Sequence, residues 1–239
     1  MSEQTLRFGR RDSRLEARDS CSHEIISTDR TAHSANWQSA IRNSQSARSL
    51  KIPVGVLGAT GAVGQRFVQL LATHPWFELA AVAASGNSAG RPYGEACRWV
   101  LPDSMPEAAA GLAVGSLRPN DPVPLVFSAL PSDVAGPVEE AFADAGCAVV
   151  TNAAAHRMDP DVPLLIPEVN PGHAELIERQ QARRGGPGFI AAHANCSTAQ
   201  LALILRPLHD AFGLERAAVT TLQAVSGAGY PGLPPRAIR

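Results

Sequence analysis

Two groups of residues in this sequence could do chemistry. Gly58, Gly61 and Gly64 are spaced G-x-x-G-x-x-G after an apolar run, IPVGVLG (52–58). They lead into VGQRFVQLLATH, where Val63, Phe67 and Leu70/Leu71 recur at helical spacing. Glycines at such a strand-to-helix turn let the backbone bend sharply and approach a pyrophosphate, whose charge meets the unpaired N–H groups of the helix start. The second group centres on Cys196. GFIAAHANC (188–196) is an apolar strand ending in Asn-Cys, and STAQLALILRPLHDAF (197–212) reads as an amphipathic helix. Its Leu201, Ile204/Leu205, Leu208 and Phe212 share one face. Ser197 and Thr198 are natural helix-start residues, so Cys196 falls at the positive end of a helix dipole, a position that favours a thiolate. Cys147 lies in an apolar strand and reads as an inert buried thiol, while Cys21 and Cys97 lack a helix-start context. A nucleophilic thiol beside a nicotinamide site points to one reaction type: the thiolate attacks an activated acyl group, and hydride reduces the thioacyl enzyme to an aldehyde.

The elements that must position these groups alternate. After the first strand and helix come FELAAVAAS (77–85), PLVFSAL (124–130) and CAVVTNA (147–153) as strands. DVAGPVEEAFADAG (133–146) is a helix stopped by Gly146. The pattern predicts an α/β fold, a Rossmann-type doubly wound parallel sheet. The end of the second strand speaks to the choice of dinucleotide. An NAD site usually places an Asp or Glu there, on the ribose 2′-hydroxyl. Here the chain reads Ala83-Ala84-Ser85-Gly86-Asn87-Ser88-Ala89-Gly90-Arg91, with no carboxylate to repel a 2′-phosphate. NADP is therefore the expected cofactor.

Composition narrows the class. Of 239 residues, 45% are hydrophobic and 18% charged, enough apolar surface for a sizeable core. A net charge of −1 argues against a nucleic-acid binder relying on a general basic field. No run approaches the ~18 apolar residues of a membrane span. Four cysteines without a C-x-x-C pair make a structural metal site or a disulfide framework poor readings, and a reducing cytoplasm is expected. Residues 1–50 are rich in Ser and Arg without a sustained apolar period, and are expected to be a disordered extension. They lack the apolar stretch of a secretory signal, and their scattered acids count against a transit peptide.

Taken together, GATGAVGQRFVQLL, AASGNSAG, FSALPSDVA, VPLLIPEVNP, NCST and QAVSGAGYPG resemble aspartate-semialdehyde dehydrogenase, most like its archaeal and fungal branch. The six blocks run in order from Lys51 to about Gly232. The resemblance implies an NADP-binding domain over 51–190 and the beginning of an α+β catalytic domain over 191–239. It implies NADPH-dependent reduction of L-aspartyl 4-phosphate to L-aspartate 4-semialdehyde with release of phosphate. Malonyl-CoA reductase and N-acetyl-glutamyl-phosphate reductase share the reaction class, and an inactive NADP-binding fragment is the alternative outside it. Carried over residue by residue, the resemblance makes Cys196 the nucleophile, with Asn195 holding substrate or cofactor and Gln223 orienting the acyl carbonyl. Thr60, Gly61, Ala62 and Val63 would contact the pyrophosphate, in a cofactor site that the turn glycines Gly58 and Gly64 also help form, and Ser85 and Ser88 the 2′-phosphate. Ser128, Ala129 and Leu130 would line the nicotinamide side, and Ser226, Gly227 and Ala228 the ribose and nicotinamide. The full-length family implies a homodimer or homotetramer.

Three departures qualify this. Asn87 stands where the family's 2′-phosphate loop commonly has arginine. His193-Ala194 precede Asn195, where Asn-Pro is usual; strand alternation turns His193 to the face opposite Cys196, which suits packing or solvent rather than base catalysis. Finally, the family's general-base histidine and carboxylate-binding arginine are expected beyond Arg239. The chain is therefore expected to be a fragment that binds NADPH with essentially no turnover.

Overall fold

The computed structural model describes residues 4–7, 51–119 and 123–222, in two units. The first unit holds a two-stranded sheet, β1 (Gln4–Arg7) antiparallel to β9 (Arg216–Val219), with Gln4 opposite Val219 and Arg7 opposite Arg216. Pairing of this kind rests on main-chain hydrogen bonds and needs no apolar period, so composition alone does not reveal it. The rest of the segment expected to be disordered lies outside the described residues.

The second unit is a sheet of seven strands: β2 (Ile52–Leu57), β3 (Phe77–Ala83), β4 (Val114–Gly115), β5 (Leu125–Ser128), β6 (Ala148–Thr151), β7 (Leu164–Leu165) and β8 (Phe189–His193). Every pairing is parallel, in the order β4-β3-β2-β5-β6-β8-β7. The order reverses between β2 and β5, the topological switch point of a doubly wound sheet. The helices are α1 (Ala62–Leu71), α2 (Tyr93–Ala96), α3 (Glu107–Ala110), α4 (Ser132–Asp144), α5 (Glu175–Arg184) and α6 (Cys196–Phe212).

Strand alternation feeds two cores. Val54, Val56 and Val82 join Val68 and Leu71 of α1 with Tyr93 on one face. Leu57, Val126, Val149 and Ile190 join Ala135, Phe142 and Ala143 of α4 on the other. The expected domain boundary after residue 190 falls inside β8, which stays in this sheet through His193. Because β7 is only two residues long, it pairs with Ala192 and His193 and leaves Ile190 without a strand partner on that side. The buried amide of Gln180 in α5 takes that place, donating to the Ile190 carbonyl at 2.7 Å and accepting from its N–H at 3.0 Å. The expected apolar face of α6 forms on schedule but is not buried; Ile204, Leu208 and Phe212 are exposed.

Candidate active site

The glycine turn lies at the carboxyl end of β2. Gly58 adopts φ +74°, in the left-handed region that glycine enters without penalty. A Cβ there would stand 2.7 Å from the Ala129 carbonyl oxygen, and one on Gly64 would collide with the Gly58 carbonyl. The N–H groups of Gly58 and Ala59 both donate to the Ala83 carbonyl, at 2.9 and 3.1 Å, joining the turn to the end of β3. Gly61 caps α1 with no side-chain bond, and the first turn of that helix contains no acid. Its leading N–H groups therefore face no competing side-chain acceptor, and the helix dipole adds to their attraction for an anion. From behind, Gln65 donates to the carbonyls of Thr60 and Arg98, both at 2.9 Å, and accepts from the Val100 N–H at 2.8 Å. The Tyr93 hydroxyl donates to the Ala59 carbonyl at 2.8 Å. Consecutive loop carbonyls are thus tied to the protein, which suits a cradle of amides. Neither Gln65 nor Tyr93 stands out in the sequence; each reads there as an ordinary residue of its element.

Ser85 and Ser88 form a turn just past β3, where Ser88 N–H donates to the Ser85 carbonyl at 2.9 Å. Ser85 is exposed and Ser88 half-buried. Arg91, a possible donor to a 2′-phosphate, gives one guanidinium N–H to the Glu95 carbonyl at 3.0 Å. Across the switch point, Ala129 N–H donates to the Leu57 carbonyl at 2.9 Å, bringing Ser128–Leu130 beside the glycine turn. The Ser128 hydroxyl is directed away, into the core, where it donates to Glu139 at 2.5 Å. Backbone is therefore what Ser128 brings to the crevice.

Cys196 is exposed at the first position of α6, at the end of β8. The cap is Asn195 rather than Ser197 or Thr198: its side-chain oxygen accepts from Ser197 N–H at 3.0 Å. Asn195 holds extended backbone (φ −54°, ψ 144°), as an N-cap requires. The donor half of its amide is what it can offer a ligand. Burial pushes the Cys97 thiol up, a shift that a hydrogen bond with Tyr93 only partly offsets, and burial alone pushes Cys147 up. His193 is half-buried, its ring Nδ1 2.9 Å from the Ala194 carbonyl. Arg157 was not singled out by sequence, yet its guanidinium donates to the His193 carbonyl at 3.1 Å and the Asn152 carbonyl at 2.8 Å. It places a fixed positive charge across the ends of β6 and β8. The one sequence signal for it is a lone cation soon after an apolar strand. Gln223, Ser226, Gly227 and Ala228 lie outside the described residues.

Because the strands are parallel, the turn after β2, the serines after β3, Ser128–Leu130 after β5 and Cys196 after β8 share one edge of the sheet. Three strand spacings separate the ends of β2 and β8, roughly 14 Å. Among the described residues no helix is long and apolar enough to cross a membrane, and no three His, Cys, Asp or Glu converge as a metal site.

A doubly wound sheet with an amide-lined glycine turn at its switch point defines a dinucleotide-binding α/β domain, here with an exposed cysteine at a later strand end. The model of the semialdehyde dehydrogenase NAD-binding domain family matches residues 53–177, and the chain belongs to this family. It is 54% identical over 189 residues to an aspartate-semialdehyde dehydrogenase of Methanothermobacter thermautotrophicus, covering 78% of this chain and 54% of that protein. It is 43% identical to a malonyl CoA reductase (NADP) of Metallosphaera sedula, covering 78% and 52%. The crystal structure of aspartate semialdehyde dehydrogenase with NADP from Candida albicans superimposes with a TM-score of 0.64 at 45% identity, over 69% of this chain and 48% of that one. The chain spans about half the length of the curated relatives it matches.

Proposed function

We propose that this chain carries the NADP site and the nucleophile of an aspartate-semialdehyde dehydrogenase, which reduces L-aspartyl 4-phosphate to L-aspartate 4-semialdehyde. The observation that carries the reading is the placement of Cys196 on the sheet edge that bears the glycine turn. The name of the archaeal relative, and the NADP held by the Candida albicans enzyme, support substrate and cofactor. The pyrophosphate would rest on the N–H groups of Gly61, Ala62 and Val63, and the 2′-phosphate at Ser85 and Ser88. When bound, NADPH supplies the hydride.

The chain's own residues account for the other events. The Cys196 sulfur attacks the acyl carbon; a carbon–sulfur bond forms and the bond to the phosphate oxygen breaks, releasing inorganic phosphate. Arg157 sets a positive charge near the strand end, suited to an anionic substrate. Asn195 holds the start of α6, so the Cys196 sulfur stays at the helix N-terminus. As hydride reaches the thioester carbon, the carbon–sulfur bond breaks and the thiolate is released to the same position. The cytoplasm is the proposed compartment, and a homo-oligomer the proposed assembly.

Mass spectrometry after exposure to aspartyl phosphate without NADPH tests the reading directly. The expected product is a single aspartyl adduct on Cys196, absent from Cys196→Ser. Malonyl-CoA is the competing substrate, because a relative bears that name; an adduct formed only with malonyl-CoA would replace the substrate assignment.

A further inference from the structure

Beneath the switch point lies a buried polar group that the proposed reaction does not use. Glu139 of α4 is fully buried. Its Oε1 accepts from Ser128 Oγ at 2.5 Å and from Thr151 Oγ1 at 2.6 Å, the last residues of β5 and β6. Thr151 Oγ1 in turn accepts from Ala153 N–H at 2.9 Å. The other oxygen, Oε2, lies 3.6 Å from Nε2 of His156, and neither atom has a hydrogen-bond partner. On its far side, His156 Nδ1 is 2.7 Å from Asp159 Oδ2. A carboxylate only accepts, so Nδ1 carries the hydrogen there.

We propose that Glu139 is a positioning residue for the dinucleotide crevice. Its carboxyl fixes the ends of β5 and β6 to α4. The Ser128 end leads into Ala129 and Leu130 beside the glycine turn. The Thr151 end leads into the loop where Arg157, the residue after His156, braces the strand that runs to Cys196. Glu140, the adjacent residue, and Asp144, about a turn further along α4, are partly exposed and hold Arg184, and Glu140 also lies 3.9 Å from His156 Nδ1; the carboxyl that reaches the strand ends is that of Glu139. The effect on cofactor binding rests on the dinucleotide reading above; the fixing of the strand ends does not.

Glutamine keeps the shape of the side chain, and its oxygen can accept both hydroxyls. The full chain and its Glu139→Gln, Glu139→Ala, Ser128→Ala and Thr151→Val variants should be compared by hydrogen exchange and NADPH fluorescence titration. Glu139→Gln is expected to match the parent in exchange and to bind NADPH within about twofold of it; Glu139→Ala should raise deuterium uptake at 126–131 and 150–157 and weaken NADPH by about tenfold. If Glu139→Ala does not fold, Ser128→Ala and Thr151→Val should each loosen their own strand end. Uptake confined to α4, or Gln as damaging as Ala, would overturn the proposal. If the parent chain bound no NADPH, the dinucleotide reading would fall, and the exchange pattern would still decide the clamp.

Discussion

The side-chain amide of Gln65 donates a 2.9 Å hydrogen bond to the Thr60 carbonyl, so the first turn of α1 holds the loop that precedes it. Gln65 also bonds Arg98 and Val100, and it is fully buried. Gln65→Leu would fill similar volume while leaving two carbonyls and an N–H without this partner. The expected loss is on the order of 2–4 kcal/mol in urea unfolding, with weaker NADPH binding by the folded fraction. An unchanged urea midpoint would show that the backbone alone holds the loop.

Gly64 offers a sterically sharper test. An alanine methyl there would run into the Gly58 carbonyl and the Ala59 Cα, both backbone and unable to swing aside. Gly64→Ala should abolish NADPH binding and lower the thermal midpoint. Gly111→Ala is the control, because a Cβ there meets nothing within 4 Å; its stability should stay within about 0.5 kcal/mol of the parent.

The described cysteines should separate by reactivity. Cys196 is exposed, whereas Cys97 and Cys147 are buried and burial raises both thiols above their ordinary value of 9.0. Alkylation followed by peptide mass spectrometry at pH 7.5 should label Cys196 first. Labelling of Cys147 ahead of it would contradict this structure of the site.

The same raised thiols carry a pH consequence. Above about pH 9 the unfolded chain releases thiol protons that the folded chain retains, so the unfolded state gains relative to the folded one. Stability should therefore fall as pH rises from about 9, until the buried thiols ionise in the folded state as well. A Cys97→Ala, Cys147→Ala double variant should show a shallower decline in urea midpoint between pH 8.5 and 10.

Cofactor choice can be read at the turn after β3. Ser88→Asp would place a carboxylate where a 2′-phosphate is proposed to lie, and like charges brought together repel. The NADPH-to-NADH affinity ratio should drop by about tenfold or more, chiefly through loss of NADPH. An unchanged ratio would move the 2′-phosphate site away from Ser85 and Ser88.

Much of this protein follows from the chain's local order. The glycine spacing, the apolar strands and the 3.6-residue period of α1, α4 and α6 are short-range patterns, so the alternating fold and the positions of Gly58, Gly64 and Cys196 can be read without coordinates. The capping of α6 was legible in kind but shifted in place: Asn195, Ser197 and Thr198 are all good caps, and only backbone geometry selects Asn195. The two-residue strands β4 and β7 are too short to show any period. What tertiary structure alone decided is which polar side chains turn inward. Gln65, Gln180, Glu139 and Arg157 would each pass for surface residues by type. They became structural because strand ends and loop carbonyls far away in sequence needed partners once the sheet had closed around them, and buried polar groups left unpaired are costly.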